Sequence, residues 1–442
     1  MKLMKLWSVW VLLIVTLFAC NLGDETPVLS EEDQVKEAIF ESMQEWYYWS
    51  NLLPARINPS DFNSNRELLD FLVFDSLDRF TTFTTQEQRS NLIVGNVTGV
   101  HGFRLAFNQE DRAFIASVIK SGPAGQDGWQ RGWEIIEVNG RTIPSFRNSS
   151  GGFTIDLGPN EVGVTNTFKF RLQDGSETTR TIPKAAFTAT SVAHEEIIEM
   201  GGKKIGYWVY ENFRASQGTG NRRSFEVEQS FSRFQNENIN ELIIDLRYNG
   251  GGLVSIAEQL LNYIVPSSAN GQIMYTYRWG PNQTQRNESE RFSKVGSLNL
   301  NRIVFITSRS SASASELVIN SLRPFMDVVI VGDNTFGKPV GSIGVGGNNR
   351  VLVANNILIE MITFSIANAA GEADYFEGFE PAIRAGDDLT RNWGDPREFR
   401  LAAALNLITE GSVSGRLKDT YYRPSWHMHE QFKGLEQEYF MY

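Results

Sequence analysis

Two periodicities divide the chain. Near the start, Val35, Ile39, Met43, Trp46 and Tyr47 recur at three- and four-residue steps, which predicts a helix with one apolar face beginning at Glu31. A second helix is predicted from Arg66 to about Asp78, opened by Ser64 or Asn65, with Leu68, Leu69, Leu72 and Phe74 on one side. The aromatic and proline-rich stretch between them reads as part of a packed helical cap. From Gly99 to about Pro183 the texture becomes strand-like: Phe103, Leu105 and Phe107 alternate, Ile115, Val118 and Ile119 form another strand, and Glu134–Val138 runs into an Asn139-Gly140 turn. A third region begins near Ser191. There Ile205–Phe213 is a predicted strand, Phe225–Phe234 a helix, and Leu242–Asp245 a short buried strand. The predicted helix Arg397–Thr409 closes the region.

The stretch Arg309–Ser342 holds the candidate chemistry. The apolar strand Ile303–Ile306 ends in a turn crowded with Ser310, Ser311, Ser313 and Ser315. A helix follows from Glu316 to about Arg323, stopped by Pro324. The apolar strand Val328–Val331 then leads to the loop Phe336-Gly337-Lys338-Pro339. A serine at a helix N-terminus and a lysine on a returning loop thus lie at the ends of neighbouring strands. Serine is a poor nucleophile until a base takes its proton, and a desolvated lysine can be that base. Upstream, Asp245 runs into Leu246-Arg247-Tyr248-Asn249-Gly250-Gly251-Gly252. A strand, glycine turn and helix can cradle phosphate, but the fixed lysine and hydroxyl of a P-loop are missing. Four histidines occur, and none lies near a nucleophile elbow, so a Ser-His-Asp triad is rejected.

SASASE, followed after a strand by TFGK, resembles the carboxyl-terminal processing family of serine–lysine peptidases. In that family the middle serine is the nucleophile and the lysine of FGK, 25 positions later, is the base. The resemblance carries these roles to Ser313 and Lys338, which stand at that interval. It implies an oxyanion hole made by the Ala314 amide and a glycine amide of the Asp245–Gly252 turn, of which Gly251 is chosen. It also implies a lysine whose pKa is lowered by burial. A glutamine usually follows the lysine by four positions and orients it; Ser342 stands there instead. Ser311 and Ser315 are fallback nucleophiles. Residues 121–143 resemble the PDZ segment in which a short helix precedes a strand and a Val-Asn-Gly turn. A PDZ domain binds a chain end as an added strand, and Val100–Phe103, with Gly102 and Phe103 as the contact residues, is the candidate carboxylate loop. The aromatic stretch after the first helix, together with Asp78–Phe83, also resembles the N-terminal region of these proteases.

Composition narrows the partners. At 442 residues, 41% hydrophobic and 21% charged, the chain has an ordinary globular balance and room for two or three domains. The formal net charge of -11 argues against nucleic acid, whose phosphates would be repelled. Lys2 and Lys5 followed by the apolar run Leu6–Ala19 read as a secretory signal, too short for a membrane span. Cys20, the sole cysteine, follows directly and resembles the lipidated residue of a bacterial lipobox. No internal disulfide is possible.

The expected protein is therefore an α+β multidomain chain. Its parts are a signal (1–19), a tether (20–30), an N-terminal helical cap (31–90), a PDZ domain (91–185), a crotonase/ClpP-like α/β peptidase core (186–410) and a tail (411–442). His427 and His429 are expected in a solvated tail rather than a metal site. The expected activity is serine endopeptidase cleavage of unfolded proteins or exposed apolar C-termini, with no metal or organic cofactor, at a membrane facing the periplasm or exterior. The rival readings are a peptide-binding scaffold without turnover and a non-peptidase hydrolase on the same fold.

Overall fold

A computed structural model describes residues 29–108, 110–411 and 427–428. The signal, Cys20, the tether and most of the tail lie outside the described residues.

The core is organised on a six-stranded sheet. Its order is Val192–Met200, Lys203–Tyr210, Glu241–Asp245, Arg302–Thr307, Asp327–Gly332 and Ile383–Arg384. The first pair is antiparallel and every later pair parallel. Parallel strands are covered on both faces, so their sequences read as continuous apolar runs. Side chains still alternate between faces. Leu242, Ile244, Ile303 and Phe305 meet the helices Phe225–Asn236, Val254–Ile264 and Ala314–Leu322 on one side. Ile243, Val304 and Ile306 meet Leu401, Ala404, Leu405 and Ile408 of the helix Phe399–Glu410 on the other. In such sheets, sites form beyond the carboxyl ends of the strands. Here Asp245, Thr307 and Gly332 end three neighbouring strands, and they release the glycine turn, the serine turn and the lysine loop at one place.

A second sheet is built on the long buried strand Leu358–Asn368. It pairs with Thr82–Thr84, Ile273–Trp279 and Val340–Val345. The N-terminal helices Glu31–Trp46 and Asn65–Leu72 bury Val35, Ile39, Met43, Leu68, Leu69 and Leu72 against Val340, Ile359, Met361 and Ile362. This cap packs behind the strand that follows Lys338. The second helix stops at Leu72, not near Asp78, because the chain beyond it folds around the Asp78 carboxylate. That group accepts the Tyr47 hydroxyl at 2.8 Å and the Phe80 and Thr81 amides at 2.9 Å each.

Residues 96–188 form a β unit with its own core of Phe103, Ile115, Trp129, Ile135, Phe168 and Phe170. The expected strand Glu134–Val138 and its turn are present, with Asn139 and Gly140 at φ +50° and +75°. The sheet also receives a strand from the tail: His427 and Met428 pair antiparallel with Phe107 and Ala106. The tail thus contributes a paired strand, which the sequence reading did not expect.

Candidate active site

Ser313 precedes the helix Ala314–Leu322 and holds φ +55°, ψ -114°, a conformation that costs a non-glycine residue roughly 1–3 kcal/mol. Strain of this kind persists only where the surroundings enforce it. Gly251 supplies part of the enforcement: a Cβ there would lie 2.8 Å from the Ser313 Cβ and 3.1 Å from the Ala314 nitrogen, and its φ is +119°. The neighbouring serines hold the turn. Ser311 is fully buried and donates to the Leu246 carbonyl at 2.7 Å; Ser315, equally buried, donates to the Asn249 carbonyl at 3.0 Å. Both fallback nucleophiles are thereby committed to the backbone of the glycine turn, whereas Ser313 is half-buried.

Glu316 gathers the site. Its carboxylate is fully buried and accepts four donors. The Ser313 and Lys338 amides reach one oxygen at 3.0 and 2.8 Å; the Thr335 hydroxyl and Gly337 amide reach the other at 2.6 and 2.7 Å. Burial pushes the carboxyl up, and the donors oppose it. All four contacts suit a carboxylate, and a proton on either oxygen would face a donor, so the group is read as ionised. The serine turn and lysine loop are thus pinned to a single side chain. The Phe336 amide adds a bond to the Ser311 carbonyl at 2.9 Å. The loop also locks onto Phe376–Phe379: Gly337, at φ +92°, has no room for a Cβ, which would lie 2.0 Å from the Phe376 carbonyl oxygen. Lys338 is 5% exposed, and its Nζ lies 4.8 Å from the centre of the Phe80 ring. The Ser-x-x-Glu spacing of a capping box was visible in SASASE and is the signal that could have singled out Glu316.

A buried ion network holds the glycine turn. Arg247 meets Asp245 and Asp387 at 2.7 Å and Glu398 at 2.9 Å. These carboxylates offset the burial of the guanidinium and hold its pKa above the usual arginine value. Arg131, from the β unit, bonds Asp387 at 2.5 Å and the Tyr248 hydroxyl at 2.9 Å, and Tyr248 also donates to Asp387. Sequence reasoning missed this cluster, in which the bonded pair Arg131 and Asp387 is separated by 256 positions.

Two of the expected site residues have other partners in this structure. The Gly251 amide donates to Asn249 Oδ1 at 2.9 Å, so in this conformation it is engaged rather than offered to an oxyanion, although Gly251 itself packs against Ser313. The Ser342 hydroxyl donates to Glu360 Oε1 at 2.8 Å, and the Arg89 guanidinium holds the other oxygen at 2.9 Å. Its proton therefore goes to a buried ion pair. Gly102, at φ +80°, sits with Phe103 where the candidate chain-end loop enters the strand Phe103–Phe107.

This constellation belongs to a known class. Residues 204–380 match peptidase family S41 and residues 34–82 match the peptidase S41 N-terminal domain, and the chain belongs to that family. The second match covers the stretch whose resemblance to processing proteases is noted above. A carboxyl-terminal-processing protease of Synechocystis is 26% identical over 292 residues, covering 64% of this chain and 63% of that protein. The carboxy-terminal processing protease CtpA of Bacillus subtilis is 24% identical over 317 residues, covering 70% and 61%. The chain thus spans less than two thirds of the length of these curated relatives. A crystal structure of an S41 protease from Bacteroides fragilis has the same fold, with a TM-score of 0.69 at 24% identity, covering 85% of this chain and 97% of that one.

Proposed function

We propose that the protein is a serine endopeptidase in which Ser313 attacks the scissile carbonyl and Lys338 takes its proton. The observation that carries this reading is the Glu316 oxygen shared by the Ser313 and Lys338 amides, which brings the two residues to one point. Lys338 then returns the proton to the leaving amine, and water resolves the acyl-enzyme. The Ala314 amide, at the helix N-terminus directly after the nucleophile, is one oxyanion donor. The glycine turn supplies the second; for Gly251 to serve, its N–H has to leave Asn249. The β unit 96–188 acts as a PDZ-like binder of chain ends, taking an apolar C-terminus along Phe103–Phe107 after the Gly102 loop. Cys20 anchors the protein by lipid to a membrane facing the periplasm or exterior, and Cys20→Ala is expected to move it to the soluble fraction.

The test is cleavage of an unfolded protein and of peptides with apolar C-termini. Cleavage by the wild type, absent with Ser313→Ala and Lys338→Ala, is the expected result. Peptide binding without cleavage by any of the three would refute the dyad and favour a scaffold. Cleavage of small esters alone would favour a non-peptidase hydrolase.

A further inference from the structure

The strand Phe103–Phe107 follows the Gly102 loop directly and pairs on one side with Ala113–Val118. Its other side is the edge of the sheet, the side on which an added peptide strand would lie. That edge is taken by the chain itself, with His427 opposite Phe107 and Met428 opposite Ala106 in antiparallel register. The position also has an apolar side wall, since the Phe107 ring stacks on Phe153 with centroids 4.3 Å apart. An open edge of this length is a standing template for pairing, and here the occupant comes from beyond the last core helix, Phe399–Glu410.

We infer that the tail strand His427–Met428 is an internal competitor for the chain-end site, occupying the edge that a substrate strand must take. The inference rests on the reading of residues 96–188 as a chain-end binder. Backbone pairing explains why so short a segment can serve: a strand added to an edge is held by main-chain bonds that any sequence can make. Tethering makes up for the small contact. Sixteen positions separate Gly411 from His427, and pairing within one chain carries an effective concentration on the order of millimolar. A substrate present at micromolar concentration must displace it. Entry of a substrate and release of the tail are then a single exchange at one edge. A chain with many accessible residues, such as an unfolded protein, displaces the tail better than a short peptide does.

The test uses the full chain with Ser313→Ala, so that ligands are not consumed, with and without His427→Pro and Met428→Pro. Proline removes the N–H that a strand donates and is poorly tolerated inside a ladder. Two quantities are read: hydrogen exchange at the Leu105 and Phe107 amides, which face the edge, and the affinity of a fluorescent peptide with an apolar C-terminus. The expected result is faster exchange in the proline variant and peptide binding at least about 5-fold tighter. With Ser313 restored, kcat/KM for the same peptide should rise by a similar factor. Unchanged exchange with equal peptide affinity would overturn the inference and leave the chain-end reading standing. Faster exchange with equal affinity would also overturn it, placing the substrate elsewhere than the tail. If no peptide bound either chain, the chain-end reading would fail and the inference with it.

Discussion

Replacing Glu316 with glutamine keeps the shape of the side chain and turns one of its oxygens into a donor. The glutamine can be placed in two ways. With its NH2 toward Ser313 and Lys338, two amides at 3.0 and 2.8 Å face a donor, and two charge-assisted bonds are lost. At about 1.5–3 kcal/mol each, that orientation costs about 3–6 kcal/mol. With its NH2 toward Thr335 and Gly337, the Gly337 bond is lost, while the Thr335 hydroxyl, which already accepts from Phe379 at 2.7 Å, can reverse. This second orientation costs about 2–3 kcal/mol, including the weakening of the remaining bonds to a neutral acceptor. The protein adopts the cheaper one. The lost bond lies next to Lys338, so the lysine loop shifts and kcat is expected to fall, by up to roughly 30- to 150-fold. KM should change little, because Glu316 is fully buried. Kinetics on a fluorogenic peptide, with a thermal melt beside it, measures both quantities. A folded Glu316→Gln enzyme with wild-type kcat, or a change confined to KM, would refute the reasoning.

Other perturbations separate the remaining roles. Ser342→Ala removes the hydroxyl that bonds Glu360 while leaving the Arg89 pair, so a loss of about 1 kcal/mol of stability and a kcat within about 3-fold of wild type are expected; a hundredfold loss in kcat would return Ser342 to the catalytic apparatus. Gly251→Ala places a methyl 2.8 Å from the Ser313 Cβ at a φ of +119°, and is expected to lower both the melting temperature and kcat; a fully active variant would mean that Gly251 does not shape the nucleophile. Burial, and next the charge of Lys184, push the buried His101 imidazole down to about 4. Well above pH 6.5 it is neutral in both states and contributes nothing. As the pH falls the unfolded chain takes a proton that the folded chain refuses, so stability should fall by about 1.5 kcal/mol between pH 6.5 and 5. Denaturation of wild type and His101→Phe at the two pH values checks this, since the variant should lack that part of the slope.

The parts of the fold and site that were legible in the sequence are local. Alternating faces, the Asn139-Gly140 turn and the serine and lysine stretches each lie within a few residues, and the structure places their elements within a residue or two of expectation. The second helix was misjudged because its end is set by Asp78 and Tyr47, which meet across 31 positions. Glu316 was hidden differently: its spacing marks a helix cap, and only the fold shows that the same carboxylate also collects Thr335, Gly337 and Lys338. Arg131, Asp387 and Glu398 carry no local pattern, since a buried charge is legible only from its partner. The tail strand was invisible for the same reason, because backbone pairing demands almost nothing of its side chains.

The most direct measurement is trapping of the acyl-enzyme. The protein is quenched during turnover of an activated ester or slow peptide substrate, and the adduct is located by mass spectrometry of its fragments. The account predicts a single adduct on Ser313 in the wild type, with its formation lost in Lys338→Ala. An adduct on Ser311 or Ser315, or one on Ser313 that forms equally fast without Lys338, would contradict it.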